Sequence, residues 1–161
     1  MGMRNLIKVA AAVLAVASVL AQHPAMAKPA SVVATISGGG AANMDDGQGP
    51  SYWGLEVKLL SDGSAQGFFE CVDQQGDFFP GNFFGPVRSW SRNADGTINL
   101  HGVGATLSFP PNPLDFIGNL EFTVTVQHFG GPGIGHWTLD VPDFGGVVCV
   151  ETLTSGQIAM H

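Results

Sequence analysis

The stretch Leu120–Gln127, LEFTVTVQ, decides the fold class, because its apolar and polar residues alternate one by one. The apolar set is Leu120, Phe122, Val124 and Val126, and the polar set is Glu121, Thr123, Thr125 and Gln127. A period of two places successive side chains on opposite faces of a β-strand, whereas an amphipathic helix needs a period of 3.6. The stretch 53–60, WGLEVKLL, follows the same rule. Both stretches therefore predict half-buried strands.

Short clusters of Gly, Pro, Asn, Asp and Ser separate the alternating runs, and such residues favour chain reversal. No segment after the N-terminal region keeps helical spacing for three turns. The pattern predicts eight or nine strands, over 31–36, 52–60, 64–73, 83–92, 97–108, 120–129, 136–141, 147–153 and 157–161. The glycine-rich stretch 38–50 is expected to be a mobile surface loop. We therefore predict an all-β fold, either an antiparallel β-sandwich or a small β-barrel.

The N-terminal region has the pattern of a secretory signal peptide. Arg4 and Lys8 precede an apolar run that ends in the small-residue sequence Ala25-Met26-Ala27. That run, about 13 residues, is shorter than the roughly 20 that a membrane-spanning helix needs. We expect cleavage after Ala27, no membrane span, and a secreted or periplasmic location. The predicted organisation is a signal peptide over 1–27 and a single all-β domain over 28–161.

The charge of the chain narrows the range of partners. The chain has six basic and 13 acidic residues, a formal net charge of −7. Loss of Arg4 and Lys8 with the signal peptide leaves four basic residues and a formal charge of −9. This balance argues against nucleic acid and against an anionic lipid surface as partners.

Cys71 and Cys149 are the only cysteines, and both lie in the exported part. An even count in an oxidising compartment predicts one disulfide, with two buried free thiols as the alternative. A link over so long a loop would stabilise the fold by roughly 4 kcal/mol in the chain-entropy model. The chain has no CxxC, G-x-S-x-G or HExxH motif, so no catalytic residue, metal site or cofactor is predicted.

The stretch Gln127–Trp137, QHFGGPGIGHW, resembles a site because His128 and His136 flank a glycine-rich loop. Two imidazoles supply at most half of a zinc site, and His101 and His161 are distant in sequence. The loop also fails as a phosphate cradle, since neither a Lys-Ser/Thr pair nor a helix follows it. We expect a turn between two strands, with a weak metal or ligand contact as the alternative. By parity His128 is expected to continue the inward face of Val124 and Val126.

The segment FTVTVQHFGGPGIGHWTLDV, together with the ending SGQIAMH, resembles a family of small exported bacterial all-β domains. In that family a V-T-V strand is followed by a D-x-G-E-P-G-x-x-D loop, another strand and a terminal G-N-I-x-I-H. The resemblance covers mainly residues 120–161, and the hairpin LLSDGSAQGFFE adds to it. It implies an all-β exported fold and no particular activity. His128 and His136 stand where the family tends to have aspartates, and Gly131 where it has Glu.

Three phenylalanine doublets lie close together in the chain, namely Phe68-Phe69, Phe78-Phe79 and Phe83-Phe84. Neighbouring residues on a strand point to opposite faces, so one ring of each extended doublet must face away from the core. Such a ring is expected to be covered by a loop of the same chain, by a second subunit, or by an apolar or glycan ligand. Phe68, Phe79 and Phe84 are therefore candidates for a binding surface.

The stretch Val87–Arg92, VRSWSR, is expected to place Arg88, Trp90 and Arg92 on one face of a strand. An indole between two guanidinium groups could stack on a sugar ring or hold a carboxylate. The alternative is a Trp that covers the sheet while both arginines extend into solvent.

Two functional hypotheses follow from these observations. The first is a secreted or periplasmic binding or structural domain without an active site, acting as a homo-oligomer or on an apolar or glycan ligand. The second is a small β-barrel enzyme acting on an apolar or sugar-like substrate in a Phe-lined cavity, with His101 as acid or base. A deep pocket containing His101 and a carboxylate would favour the enzyme, and a filled interior would favour the binding domain.

Overall fold

The computed structural model describes residues 28–45, 49–73, 81–109 and 115–161. Within these ranges the chain forms nine strands and a single 3₁₀ turn at Pro142–Phe144. The strands are β1 (Val32–Met44), β2 (Pro50–Leu60), β3 (Ser64–Asp73), β4 (Gly81–Arg92), β5 (Ile98–Ser108), β6 (Phe116–His128), β7 (His136–Val141), β8 (Gly146–Leu153) and β9 (Gln157–Met160). The prediction of an all-β fold is confirmed. The expected signal peptide lies outside the described residues.

The first eight strands close into an antiparallel barrel. Each pairs with the next in the chain, and β1 closes the ring by pairing with β8 over Ala42–Met44. The strand β9 pairs with β1 over Ile36–Gly39, in the part of β1 that precedes its contact with β8. Ring closure gives the strands partners on both sides and so removes the exposed edges of an open sheet. Of the two architectures predicted, the structure is the barrel and not the sandwich.

The expectation of a mobile loop over 38–50 is wrong for its first half, because β1 continues to Met44. Gly38 faces the interior, and a Cβ there would lie 2.7 Å from the Trp53 ring and 2.5 Å from the Gln157 carbonyl oxygen. Glycine in a strand often marks such a close approach of other atoms. Gly38 therefore serves close packing against Trp53 and β9. Residues 46–48 of the expected loop lie outside the described part.

Large aromatic side chains fill the middle of the barrel. Phe69 is at the centre, with its ring centroid 5.2 Å from that of Trp137 and 6.3 Å from that of Phe83. Phe83 in turn meets Phe122 edge-on at 5.2 Å, and Trp53 lies 6.0 Å from Trp137. All five side chains are at most 5% exposed. Edge-to-face and tilted pairs at these distances stabilise a core beyond the area they bury.

The strand walls alternate as the sequence predicted, with apolar residues inward and polar residues outward. On β6, Leu120, Phe122, Val124 and Val126 are all buried. Helix is nearly absent from the described ranges, and none of it has the length and hydropathy to cross a membrane.

Candidate functional site

A polar cluster lies inside the barrel, on the inward faces of three strands. Ser51 of β2 and Glu151 of β8 are each 1% exposed, and the Ser51 hydroxyl donates a hydrogen bond to the Glu151 carboxylate. Cys71 of β3 and Cys149 of β8 continue the same inward faces. Buried polar groups are costly unless paired, so this cluster is an exception to the otherwise apolar interior.

Burial raises the pKa of the Glu151 carboxyl to about 7, because the charged form loses its hydration. The Ser51 hydrogen bond acts in the opposite direction, while the carboxylates of Asp73 and Asp45 raise the pKa further. A carboxyl group in this range changes its charge near neutral pH. Sequence reasoning missed Glu151, since nothing in VVCVETL distinguishes an inward glutamate from an outward one.

The two cysteines meet inside the barrel as free thiols. Cys71 is 3% exposed, and its hydrogen bond with Cys149, its burial and the Glu151 charge together hold the pKa of its thiol well above the usual range. The fold thus brings Cys71 of β3 and Cys149 of β8 together, although they are 78 positions apart in sequence. The expected disulfide is not formed in this structure and stays a prediction.

Two indole donors beside this cluster have no hydrogen-bond partner among the described atoms. Trp53 and Trp137 are 5% and 1% exposed, and both Nε1 atoms are buried without an acceptor. Trp53 pairs with Cys71 across β2 and β3, and Trp137 pairs with Glu151 across β7 and β8. Unsatisfied buried donors destabilise a fold by about 1–3 kcal/mol each, which makes them candidates for a functional role.

A second polar region lies on the outer wall, in a groove of about 170 Å³ between β4, β5 and β6. Its charged and titratable lining residues are Arg88, His101 and Glu121. The His101 ring is held by Thr123, whose Oγ1 is 3.0 Å from Nδ1. The structure thus places His101 with a carboxylate, as the enzyme hypothesis requires. The two residues meet in a shallow outer groove and not among the interior phenylalanines.

The expectation of one Arg-Trp-Arg face is wrong, because β-bulges interrupt the alternation of β4 on either side of Val87. Trp90 pairs with Leu100, packs against the core, and donates its indole N–H to the Leu60 carbonyl oxygen at 2.9 Å. Arg88 stays on the outer wall and lines the groove. Arg92 is exposed at the end of the strand, where its guanidinium lies 3.9 Å from the sulfur of Met160.

In two of the three phenylalanine doublets, one ring is buried and the other lies on the outer wall, as predicted. Phe69 and Phe83 are buried, whereas Phe68 and Phe84 are 41% and 40% exposed. The two outer rings stack on each other with centroids 6.3 Å apart and an interplanar angle of 23°. Phe79, the third candidate, lies outside the described residues together with Phe78.

The segment between His128 and His136 connects β6 to β7, which confirms the predicted turn between two strands. His128 does not continue the inward parity: a register shift after Val126 leaves it exposed. The two imidazole centroids lie 6.1 Å apart, and His136 Nε2 lies 3.2 Å from Asp45 Oδ2. Hydrogen bonds from His136 and Thr152 hold the pKa of Asp45 below its usual range. Within the described ranges, no three His, Cys, Asp or Glu side chains are placed to hold a metal ion.

Comparison with protein-family models, curated proteins and solved structures found no match to this chain. The class is therefore defined by the fold alone, a closed eight-stranded antiparallel β-barrel with one additional strand.

Proposed function

We propose that this chain is an exported, non-catalytic binding domain that works through the outer wall of its barrel. The packed aromatic interior supports this proposal, because five large rings occupy the space in which a small barrel would hold a ligand. A filled interior is the feature that favours a binding domain over an enzyme with an internal cavity.

The observation that carries the proposal is the stacked pair of Phe68 and Phe84 on the outer wall. Two exposed rings in contact form an apolar surface, and such surfaces commonly mark interaction sites. Arg88 lies four residues beyond Phe84 on the same strand, and both side chains are exposed. An apolar platform and a polar groove thus share one side of the barrel. This arrangement suits a glycan or another ligand with apolar and polar faces.

Replacing the outer phenylalanines tests this proposal. We expect Phe68→Ser and Phe84→Ser to reduce retention on immobilised glycans while leaving the melting temperature nearly unchanged. Ile134→Ser is the matched control, because Ile134 is an exposed apolar residue, at 64%, in the loop between β6 and β7. Analytical ultracentrifugation of the same variants separates ligand binding from self-association. Equal retention by the wild type and both Phe variants would refute binding through this wall.

The second candidate is a small β-barrel enzyme, and the shared position of His101 and Glu121 favours it. An acid or base must lie within hydrogen-bond reach of its substrate, which a groove on the outer wall allows only for a surface-bound substrate. The discriminating measurement is the release of reducing ends from a retained glycan. Release that is lost in His101→Asn would favour the enzyme, and retention without release would favour the binding domain.

The proposal includes export and a bond between Cys71 and Cys149. The hydrogen bond between the two thiols supports the disulfide, because it shows that the fold brings both cysteines to one place in the barrel, where a small shift of the strands would let them join. Intact mass of protein from an exporting host is the test, and we expect a chain that starts at Lys28. Treatment with a reductant should raise the mass by about 2 Da, the two hydrogens of the dithiol. An unchanged mass would refute the predicted disulfide, and a different N-terminus would refute the predicted cleavage after Ala27.

A further inference from the structure

The outer groove contains charges of both signs that do not neutralise each other. Arg88 and Glu121 both line it and both are exposed. Within the described ranges neither Arg88 nor Glu121 has an ion-pair partner, and the pair between His136 and Asp45 lies outside the groove. A guanidinium and a carboxylate in one recess therefore remain available to a ligand.

The size of the groove limits the ligand to a small molecule. Its volume is about 170 Å³, whereas pockets for drug-sized ligands begin at roughly 300 Å³. The net charge of the chain limits the ligand further. At −7 the protein repels free anions over a distance, whereas a ligand without net charge has no such cost.

We propose that this groove binds a small zwitterion carrying one carboxylate and one ammonium group, as in a free amino acid. The Arg88 guanidinium pairs with the carboxylate, because its planar donors match two oxygens at once. The Glu121 carboxylate accepts hydrogen bonds from the ammonium group. His101, held by Thr123, lines the same groove. This inference rests on the proposed binding role of the outer wall. The glycan contacts the platform of Phe68 and Phe84, and the zwitterion occupies the groove as a separate ligand.

Three small probes separate the two contacts: alanine carries both charges, acetate only the anionic group and methylammonium only the cationic group. The measurement is chemical-shift titration of labelled protein covering residues 28–161, with the shifts of the groove backbone as the readout. We expect alanine to bind about threefold to fivefold more tightly than either partial probe, because each exposed ion pair changes affinity by at most about fivefold. The affinity of so exposed a site is weak, so the titration extends to high ligand concentration.

Two variants assign the contacts to residues. Arg88→Gln should weaken alanine and acetate binding and leave methylammonium unchanged, while Glu121→Gln should weaken alanine and methylammonium and leave acetate unchanged. Arg92→Gln is the matched control, because Arg92 is an exposed arginine on the same strand and outside the groove. Each groove variant should lose about threefold to fivefold in alanine affinity, and the control less than twofold.

Alanine binding no tighter than acetate binding would overturn the inference, as would an alanine affinity that Arg88→Gln leaves intact. A different result refutes the outer-wall binding proposal, namely glycan retention that neither Phe68→Ser nor Phe84→Ser reduces. Glycan retention without alanine binding would refute the zwitterion alone.

Discussion

Phenylalanine side chains lie on both faces of the barrel wall, but they have different roles on the inner and the outer face. Phe69 is fully buried in the aromatic core, while its neighbour Phe68 lies on the outer wall at 41% exposed. Phe83 and Phe84 repeat the division one strand away. The comparison shows that position relative to the wall, and not residue type, decides whether a ring holds the fold or faces a partner.

Glutamate side chains also differ in environment between the inner and the outer face of the wall. Glu151 is enclosed with Ser51 and a pair of thiols, and its burial raises its pKa to about 7. Glu121 is exposed in the outer groove beside Arg88. A carboxyl group inside the wall responds to pH through the stability of the fold, whereas one outside is available to a ligand. Matched substitutions on the two faces test each of these comparisons.

The largest expected effect is on the aromatic core. Phe69→Ala should lower the free energy of unfolding by about 3–5 kcal/mol, because it leaves a cavity among Trp137, Phe83 and Phe122. Phe68→Ala should change it by less than about 1 kcal/mol, as exposed positions usually do. Denaturant unfolding of both variants measures the difference. Similar losses at the two positions would mean that the outer ring is also a core residue.

The next effect is a dependence of stability on pH, which we assign to Glu151. Its pKa is raised in the fold from 4.5 to about 7, so the fold prefers the protonated form. The stabilisation is complete below pH 4.5 and is lost as the pH rises through 7, by about 3 kcal/mol in all. Unfolding free energies between pH 5 and pH 8 should therefore fall as the pH rises.

Glu151→Gln tests this assignment, because glutamine keeps the shape and an acceptor for Ser51 but has no proton to lose. The variant should show a flat profile over the same pH range, and Glu56→Gln, on the exposed face of β2, should keep the wild-type slope. A wild-type profile that rises with pH would contradict a buried protonated Glu151.

The smallest effect is expected at the outer histidines. Replacing His128 and His136 together by Gln removes the ion pair with Asp45, whose side chain is 48% exposed. Ion pairs so accessible to water contribute about 0–1 kcal/mol, so the melting temperature should hardly move. Elemental analysis of the wild type and the variant checks the site itself, and we expect equal metal content. Stoichiometric zinc or copper that is lost with the histidines would show a metal site that the fold does not indicate.

The sequence alone determined the fold class and most strand positions, because alternation and turn residues are local signals. The strands at 64–73 and 136–141 were predicted to the residue. It missed the continuation of β1 through Gly38 and its neighbours, since glycine that serves close packing looks the same as glycine in a loop. It also misplaced Trp90, because alternation cannot reveal the bulges beside Val87.

Only the tertiary structure decided between a sandwich and a barrel, since closure depends on β1 meeting β8, strands at opposite ends of the chain. The same closure brings Cys71 to Cys149 and encloses Glu151 with Ser51, contacts between residues about 80 to 100 positions apart. Likewise the outer groove exists because Arg88, His101 and Glu121 lie on three adjacent strands. Local alternation indicates which face a side chain takes wherever no bulge interrupts the strand, and strand pairing specifies the bulges and which side chains each face brings together.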